Sequence, residues 1–478
     1  MVNCFTDFAI GDHVCFTKQF TMSDFEAFSV LSGDRNRLHH DQGHAAGTEF
    51  GKPVVPLHLA IAPMSAMAGM GFPGDPSLYL WHEVKAVSPV YYDVPVTYSC
   101  RLTDINLSHQ VLTLSVLVFS GNQVLIEAKM GVKARDSRWE QQDSLDIIRA
   151  DRRRTALVTG ASGTIGGAVA RRLSDEGWNL ILPVREGSEG KLPRSLQGNT
   201  DIRTVDLREG EAVSDFCATL KDSTVIDAVI HAASPPVEAS VTELAAVNYS
   251  AFDAIVDTVL PGMMGAQEGH IILIGSSAVR HRQEWRDYVA AKYMAQSVVN
   301  RLGSLERFGI SGSTIAPGFV LSDFSRKYRS EETDVLMPEQ VAEAVLDVME
   351  SARPVYLELE ASGRRTGSFR PGSGGDLSVV STPSVVAAPA PSPAREPDPT
   401  DSRSRIEVVF RRSLGLDDAV AVNGLVIGDV PVWDSLRHIQ LMMDLEAALD
   451  IRFSSNEIAQ TTTYGGLSQL CVEKLQSN

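Results

Sequence analysis

Cysteine is scarce in this chain of 478 residues, which carries five. Cys4, Cys15, Cys100, Cys217 and Cys471 are scattered, odd in number and form no CxxC pair. That pattern excludes a disulfide framework and a zinc ribbon, and it implies reduced thiols in a cytoplasm. Long apolar runs are missing too. No stretch of about twenty apolar residues is present to span a bilayer. The opening MVNCFTDFAIGDH lacks a basic segment leading into an apolar one, so no signal peptide is expected. Positive charge is in deficit, with 43 Lys and Arg against 60 Asp and Glu, a net charge of −17. No nucleic-acid footprint follows from such a balance. What is present is ordinary globular material, 44% hydrophobic and 22% charged, with length enough for three domains.

Composition divides the chain. Residues 1–136 pair an apolar helix near His58–Met70 with strand-like runs such as VPVTYSCRLTDI, QVLTLSVLVF and QVLIEAKMGVKA, an α+β pattern. A polar junction follows at 137–154. Residues 155–360 alternate strands (TALVTG, NLILPV, DIRTVDL, AVIHAAS, HIILIGSS, SGSTIAPG) with helical stretches, as in a doubly wound α/β domain. Residues 361–400 are rich in Pro, Ser, Gly and Ala and lack the periodicity of a core, so a flexible linker is expected. Residues 401–478 form a last, small helical domain.

In the α/β segment, TALVTGASGTIGGAVARRL runs from strand through glycines into a helix. Gly160, Gly163 and Gly166 allow a tight turn and close approach of a pyrophosphate to the helix N-terminus. Tyr288 and Lys292, in YVAAK, lie four apart and share a helix face. An ammonium beside a phenol lowers the phenol's pKa, so Tyr288 is expected to be an activated acid. Together with IGSS upstream, these motifs resemble the short-chain dehydrogenase/reductase family over about two hundred residues. The resemblance implies that Ser276, with Ser277 as the near alternative, binds the substrate carbonyl. Tyr288 would donate the proton, Lys292 would bind the nicotinamide ribose, and Asn248 would complete a proton relay. It also assigns Ser162, Ile165, Asp206, Pro317 and Gly318 to the cofactor. HAAS at 231–234 stands where the family has NNAG. The second strand ends in LILPVREG, with no acid at its tip; Arg185 there can face a 2'-phosphate, so NADPH is the expected cofactor.

The stretch FSVLSGDRNRLHHDQGH resembles the MaoC-like (R)-specific hydratases of the hotdog fold. By that resemblance Asp34 and His39 are the catalytic pair, exchanging protons with a water or β-hydroxyl and with an acyl thioester α-carbon. Asn36 supports the loop, and Ser65 lines an acyl tunnel. Arg37 replaces the family's proline, and Pro56-Leu57 replaces its His-Gly, so the oxyanion contact falls to the Leu57 N–H. Either a dehydratase or a non-catalytic dimerisation or docking module fits this pattern.

Near the C-terminus, Leu436, Ile439, Leu441, Met442 and Leu445 follow Asp434-Ser435 at helical spacing, placing Ser435 at an exposed loop-to-helix corner. The region resembles an acyl or peptidyl carrier protein, which implies a four-helix bundle with 4'-phosphopantetheine on Ser435.

The expected architecture is therefore multidomain: an α+β hotdog, an α/β doubly wound Rossmann domain and an all-α carrier bundle. The expected activity is NADPH-dependent reduction of a β-ketoacyl thioester followed by dehydration to a 2-enoyl group, in polyketide or fatty-acid-type biosynthesis. Expected partners are an acyl thioester substrate, a phosphopantetheinyl transferase, a separate ketosynthase or acyltransferase, and a second copy in a homodimer; no metal is expected. The same two catalytic folds also suit the oxidative direction, enoyl-CoA hydration followed by 3-hydroxyacyl-CoA dehydrogenation.

Overall fold

The computed structural model describes residues 8–134 and 145–379, apart from short stretches at 197–198, 222–224, 283, 323–334, 352, 362 and 368–377. Beyond 405 it describes scattered positions and then 463–477. The chain divides into two compact units, Met1–Pro383 and Ser384–Asn478.

The first unit opens with β1 (His13–Gln19) and α1 (Met22–Ser32). A reciprocal Thr21–Asp24 capping box starts α1, and Gly33 ends it in the left-handed conformation. After α2 (Gln42–Ala46), the central apolar helix arrives in pieces: α3 (Leu57–Ile61), α4 (Pro63–Ala66) and a π-helical turn at Met67–Gly71. The sequence reads this as one helix. Pro63 divides it because proline removes a backbone donor. Strands β2 (Ser77–Ala86), β3 (Pro95–Asn106), β4 (Val111–Ser120) and β5 (Gln123–Ala134) complete an antiparallel sheet in the order β1-β3-β4-β5-β2. The helix-on-antiparallel-sheet pattern expected for this region is present. β1 and β2 were not among the runs read as strands. β2 is an edge that turns Tyr79 and Val84 toward the core but exposes Leu78, Leu80 and Trp81, so its apolar residues do not mark a single buried face.

The parallel sheet is built from β6 (Thr155–Thr159), β7 (Asn179–Val184), β8 (Thr200–Thr204), β9 (Ala228–His231), β10 (Gly269–Ile274), β11 (Ile310–Pro317) and β12 (Tyr356–Glu360). Its helices are α5 (Thr164–Asp175), α6 (Gly210–Lys221), α7 (Val241–Ala245), α8 (Phe252–Ala266), α9 (Ala278–His281), α10 (Arg286–Asn300) and α11 (Pro338–Ser351). Strand order is β8-β7-β6-β9-β10-β11-β12, a seven-stranded Rossmann-like sheet whose order reverses between β6 and β9. All six strands read from the sequence are there. Two more lie inside the segment expected to be linker: β13 (Gly363–Gly367) pairs antiparallel with β12, and β14 (Ser378–Val379) pairs antiparallel with β13. Edge pairing is made by main-chain hydrogen bonds, so composition does not reveal it.

The two sheets pack together within this unit. In β4, Val116, Leu117, Val118 and Phe119 are all buried, where a sheet with one wet face would alternate. Val116 and Val118 face the antiparallel core, while Leu117 and Phe119 join the core built around α8. Polar ties surround this contact. Ser99 Oγ donates to the Gly265 carbonyl at 2.8 Å, Arg101 Nη1 donates to the Ala266 carbonyl at 2.7 Å, and Arg101 pairs with Glu268. The junction is strapped down as well: Arg149 pairs with buried Asp12, and Arg152 with buried Asp227.

In the second unit, Ile406, Phe410 and Leu414 are buried with Leu441, Leu445 and Leu449 and with Leu467 and Cys471 of α12 (Tyr464–Ser477). The four-residue spacings are those of helix faces. Ser435 lies outside the described residues.

Candidate active site

β6 leads directly into Gly160, whose φ is +70°. A Cβ there would lie 2.7 Å from the Ala233 nitrogen, and one at Gly166 would lie 2.3 Å from the Gly160 carbonyl. The turn therefore closes only with glycine at both positions. α5 has Gly163 at its N-cap and so no side-chain cap, leaving its first N–H groups to an outside acceptor. This loop forms one wall of a cavity of about 1360 Å³, with Ser162 and Ile165 in the lining. The ends of β10 and β11 supply Ser276, Pro317 and Gly318, and α10 supplies Tyr288 and Lys292.

Tyr288 is buried, and burial pushes its phenol up to about 12, with hydrogen bonds from Ser276 and Ser234 acting the other way. The spacing predicts a phenol lowered by the Lys292 ammonium; in the folded protein the largest effect on it is desolvation, which raises it. Ser276 is the serine on the phenol. Ser277 instead donates its backbone N–H to the Pro317 carbonyl at 3.0 Å. Lys292 Nζ lies 5.6 Å from the Tyr288 ring centroid and donates to the Ile274 carbonyl at 3.2 Å. Burial lowers Lys292 itself to about 8.

Asn248 is fully buried in a π-helical turn at Ala246–Ala251. Its Nδ2 donates to the Leu244 carbonyl at 2.9 Å, and its Oδ1 has no partner. Such an acceptor is costly unless water or a ligand meets it. Arg185 and Asp206 are not in the cavity lining. Arg185 is exposed just past β7, and Arg208 grips Asp206 and holds its carboxyl below the usual range. Arg171 and Lys191, unremarked in the sequence, line the cavity beside the glycine loop. So does Ser234, the last residue of the HAAS stretch. His231, the first of that stretch, is buried against Phe252 and lowered to about 3 by burial and then by Lys292.

A second constellation lies on the loop after α1. Asp34 Oδ1 accepts the Asn36 N–H at 2.9 Å, and Asn36 Oδ1 accepts the Leu38 N–H at 3.1 Å. His39 Nδ1 sits 2.8 Å from the Val54 carbonyl, which fixes it as the N–H nitrogen and leaves Nε2 as an acceptor. Nε2 lies 3.8 Å from Asp34 Oδ2, a gap that an oxygen hydrogen-bonded to both can bridge. Arg37 forms an i,i+4 pair with Asp41 at 2.7 Å, and Asp41 caps α2. Their role is to hold the loop. His40 stacks on Phe25 at the surface. Ser65, expected in an acyl tunnel, is exposed. Tyr92, also missed, has a buried hydroxyl without a partner; its phenol is raised by burial and then by the charges of Asp34 and Asp24.

The short chain dehydrogenase family matches residues 154–333, which contain the glycine loop, Ser276, Tyr288 and Lys292. A separate region is 30% identical over 125 residues to an (R)-specific enoyl-CoA hydratase of Aeromonas caviae, covering 26% of this chain and 93% of that protein. Through that region the chain belongs to the (R)-specific enoyl-CoA hydratase family. A 3-oxoacyl-[acyl-carrier-protein] reductase of Rickettsia bellii is 29% identical over 209 residues, covering 40% of this chain and 87% of the relative. Among solved structures, a 3-oxoacyl (acyl-carrier-protein) reductase of Agrobacterium tumefaciens with NADP bound aligns with a TM-score of 0.39 and 23% identity, over 43% of this chain and 93% of that one. The chain thus joins a short-chain dehydrogenase domain to a hydratase-family domain. Among the described residues, no cluster of His, Cys, Asp or Glu suits a metal, and no helix is long and apolar enough to cross a membrane.

The dehydrogenase domain keeps Lys292 at a cost to its own stability. A fall from 10.5 to about 8 corresponds to a folding penalty on the order of 3 kcal/mol. The folded-state value lies below the unfolded one, so the penalty is full below about pH 8 and fades as pH rises toward 10.5. Lys292→Met is expected to abolish reduction yet raise the unfolding temperature at pH 7, with the gain shrinking above pH 8. Thermal unfolding across this range, without added nucleotide, checks it. A variant melting below the wild type at pH 7 would contradict the assignment.

Proposed function

We propose that this chain processes the β-carbon of an acyl thioester carried on its own arm. A β-ketoacyl group is reduced with NADPH at the Tyr288 site, and the β-hydroxyacyl product is dehydrated to a 2-enoyl group at the Asp34–His39 site. The acyl group is held by 4'-phosphopantetheine on Ser435. The observation that carries this reading is the convergence of Ser276, Tyr288 and Lys292 on one cavity with the glycine loop.

The residues present suit a dinucleotide. Gly160 and Gly166 leave room for close approach, and the uncapped start of α5 offers N–H groups to a pyrophosphate. Arg171 and Lys191 on the wall, with Arg185 past β7, favour a cofactor bearing an additional phosphate, hence NADPH. When bound, the nicotinamide supplies the hydride. Ser276 orients the substrate carbonyl, Tyr288 gives its proton to the carbonyl oxygen, and Lys292 holds the ribose and steadies the phenolate. In the hydratase-family domain, Asp34 and His39 together hold the β-hydroxyl and move the protons of water loss.

The relatives support this sequence of steps. One is named for reducing 3-oxoacyl groups on a carrier protein and the other for hydrating enoyl groups, so the product of the first reaction is the hydrated partner in the second. The name of the hydratase relative also favours a second reading, hydration of an enoyl thioester followed by oxidation. The carrier assignment rests on VWDSLRHIQ and on the apolar spacing around it. A separate ketosynthase or acyltransferase would supply the chain, as in polyketide or fatty-acid-type assembly.

The test is intact-protein mass spectrometry. A phosphopantetheinyl transferase should add one arm to the wild type and none to Ser435→Ala. With a β-ketoacyl arm loaded, NADPH should produce a gain of two hydrogens and then loss of one water, faster than NADH does. Arm addition at another residue, or no reduction, would refute the corresponding part. Oxidation of a 3-hydroxyacyl arm far faster than the reverse would favour the second reading.

A further inference from the structure

β9 and β10 are parallel neighbours, with His231 opposite Leu273. Ser234 and Ser276 each stand three residues past that pair, at the carboxyl ends of adjacent strands. Both line the cavity with Tyr288, and both serine side chains act on its phenol, drawing the pKa down against the rise caused by burial. The Ser234 hydroxyl also donates to the neighbouring Pro235 carbonyl at 3.3 Å, longer than the usual O–H···O range, so this weak bond is readily exchanged for a stronger acceptor. Ser276 also accepts the Ala278 N–H at 3.2 Å, which fixes its oxygen from below. The phenol therefore sits between two hydroxyls from neighbouring strands. From the sequence, Ser276 is expected on the substrate carbonyl and no hydroxyl on the phenol.

Granting the ketoreductase reading, we propose that Ser234 is a second catalytic hydroxyl, donating to the Tyr288 oxygen as that oxygen loses its proton to the substrate carbonyl. The step balances without any further reactant. The nicotinamide hydride forms the new C–H bond, the carbonyl π electrons move to oxygen, and that oxygen takes the Tyr288 proton. The phenolate left behind is buried, where negative charge is poorly solvated. A hydrogen bond donated to it at that moment stabilises the transition state more than the ground state. Ser276, which must also bind the substrate carbonyl, cannot give its single proton to both oxygens at once. Ser234 supplies the missing donor.

The division of labour sets the sign of each effect. Removing Ser234 should raise the Tyr288 pKa and leave cofactor binding alone, because the glycine loop and Lys292 do not depend on it. Ser234→Ala is expected to lower kcat for ketoreduction by about tenfold, the scale of one neutral hydrogen bond, with KM for NADPH unchanged. In the oxidative direction Tyr288 must act as a base. There the rise in rate with pH should shift to higher pH in the variant. Ser234→Thr keeps the hydroxyl and should recover most of the rate.

A second measurement does not depend on turnover. With tyrosine isotope-labelled at Cζ, the Tyr288 resonance is identified by its loss in Tyr288→Phe. Ser234→Ala should move that resonance and Ser234→Thr should restore it. An unmoved resonance overturns the proposal whatever the enzyme reduces. A moved resonance with unchanged kcat and pH profile overturns it too, since the contact would then be structural. A wild type that reduces no β-ketoacyl thioester, with the resonance shifting as expected, would locate the failure in the ketoreductase reading and leave the hydroxyl pair in place.

Discussion

Tyr288→Phe is expected to lower ketoreduction by on the order of 10² to 10⁴, the range for loss of a positioned proton donor, while leaving NADPH binding nearly intact. The phenol is pushed up to about 12, so at neutral pH it is fully protonated and ready to act as an acid. Phenylalanine keeps the ring, its edge contact with Trp285 and the packing against α7, so the fold should tolerate the change. In the proposed function the cofactor is held elsewhere, by the glycine loop and Lys292, which line the same cavity. A pH dependence follows. Lys292 loses its proton near pH 8, far below Tyr288, so reduction should decline above about pH 8 because the ammonium disappears while the acid is still intact. Single-turnover reduction of a loaded β-ketoacyl arm, alongside fluorescence titration with NADPH, checks both statements. A near-normal rate in Tyr288→Phe would remove Tyr288 from its role as the acid.

In the hydratase-family domain, Asp34→Asn and His39→Ala should each slow water loss by on the order of 10² to 10⁴. The reasoning is geometric. The Val54 carbonyl fixes the His39 tautomer, and the Asn36 N–H occupies one oxygen of Asp34. What remains is one imidazole nitrogen facing one carboxylate oxygen at 3.8 Å. Asp34→Asn would leave the loop bond to Asn36 in place but remove the charge. By microscopic reversibility both variants should be impaired equally in hydration of an enoyl thioester. The assay presents a 3-hydroxyacyl group of each configuration and follows water loss by mass. Wild type yielding no enoyl product from either configuration would make the domain a structural module, and the hydroxyacyl group the final product.

Much of this was legible in the chain, and the legible parts share a property. Gly160, Gly163 and Gly166 mark a backbone turn, and Tyr288 and Lys292 mark one helix face; Asp34, Asn36 and His39 mark one loop. Each is a local pattern, fixed by dihedral angles and by spacings of a few residues, and the structure brings each set together. The six parallel strands were legible for the same reason, since a strand buried on both faces is a short apolar run between turns. The carrier motif is local as well, although Ser435 itself lies outside the described residues.

Tertiary structure alone decided the rest. The edge strands β1, β2 and β14, and β13 beside β14, are held by pairing with neighbours and need no pattern of their own. Leu117 and Phe119 are buried because α8 covers the second face of the antiparallel sheet, a contact between residues more than a hundred positions apart in sequence. Ser234 meets Tyr288 because β9 and β10 run parallel in one register, so two serines distant in the chain end side by side. The direction of the Tyr288 shift was not legible from spacing, because spacing sets its distance from Lys292 but not its desolvation. An ammonium four residues away should lower a phenol's pKa in water; once both are buried, the loss of solvent around each group dominates.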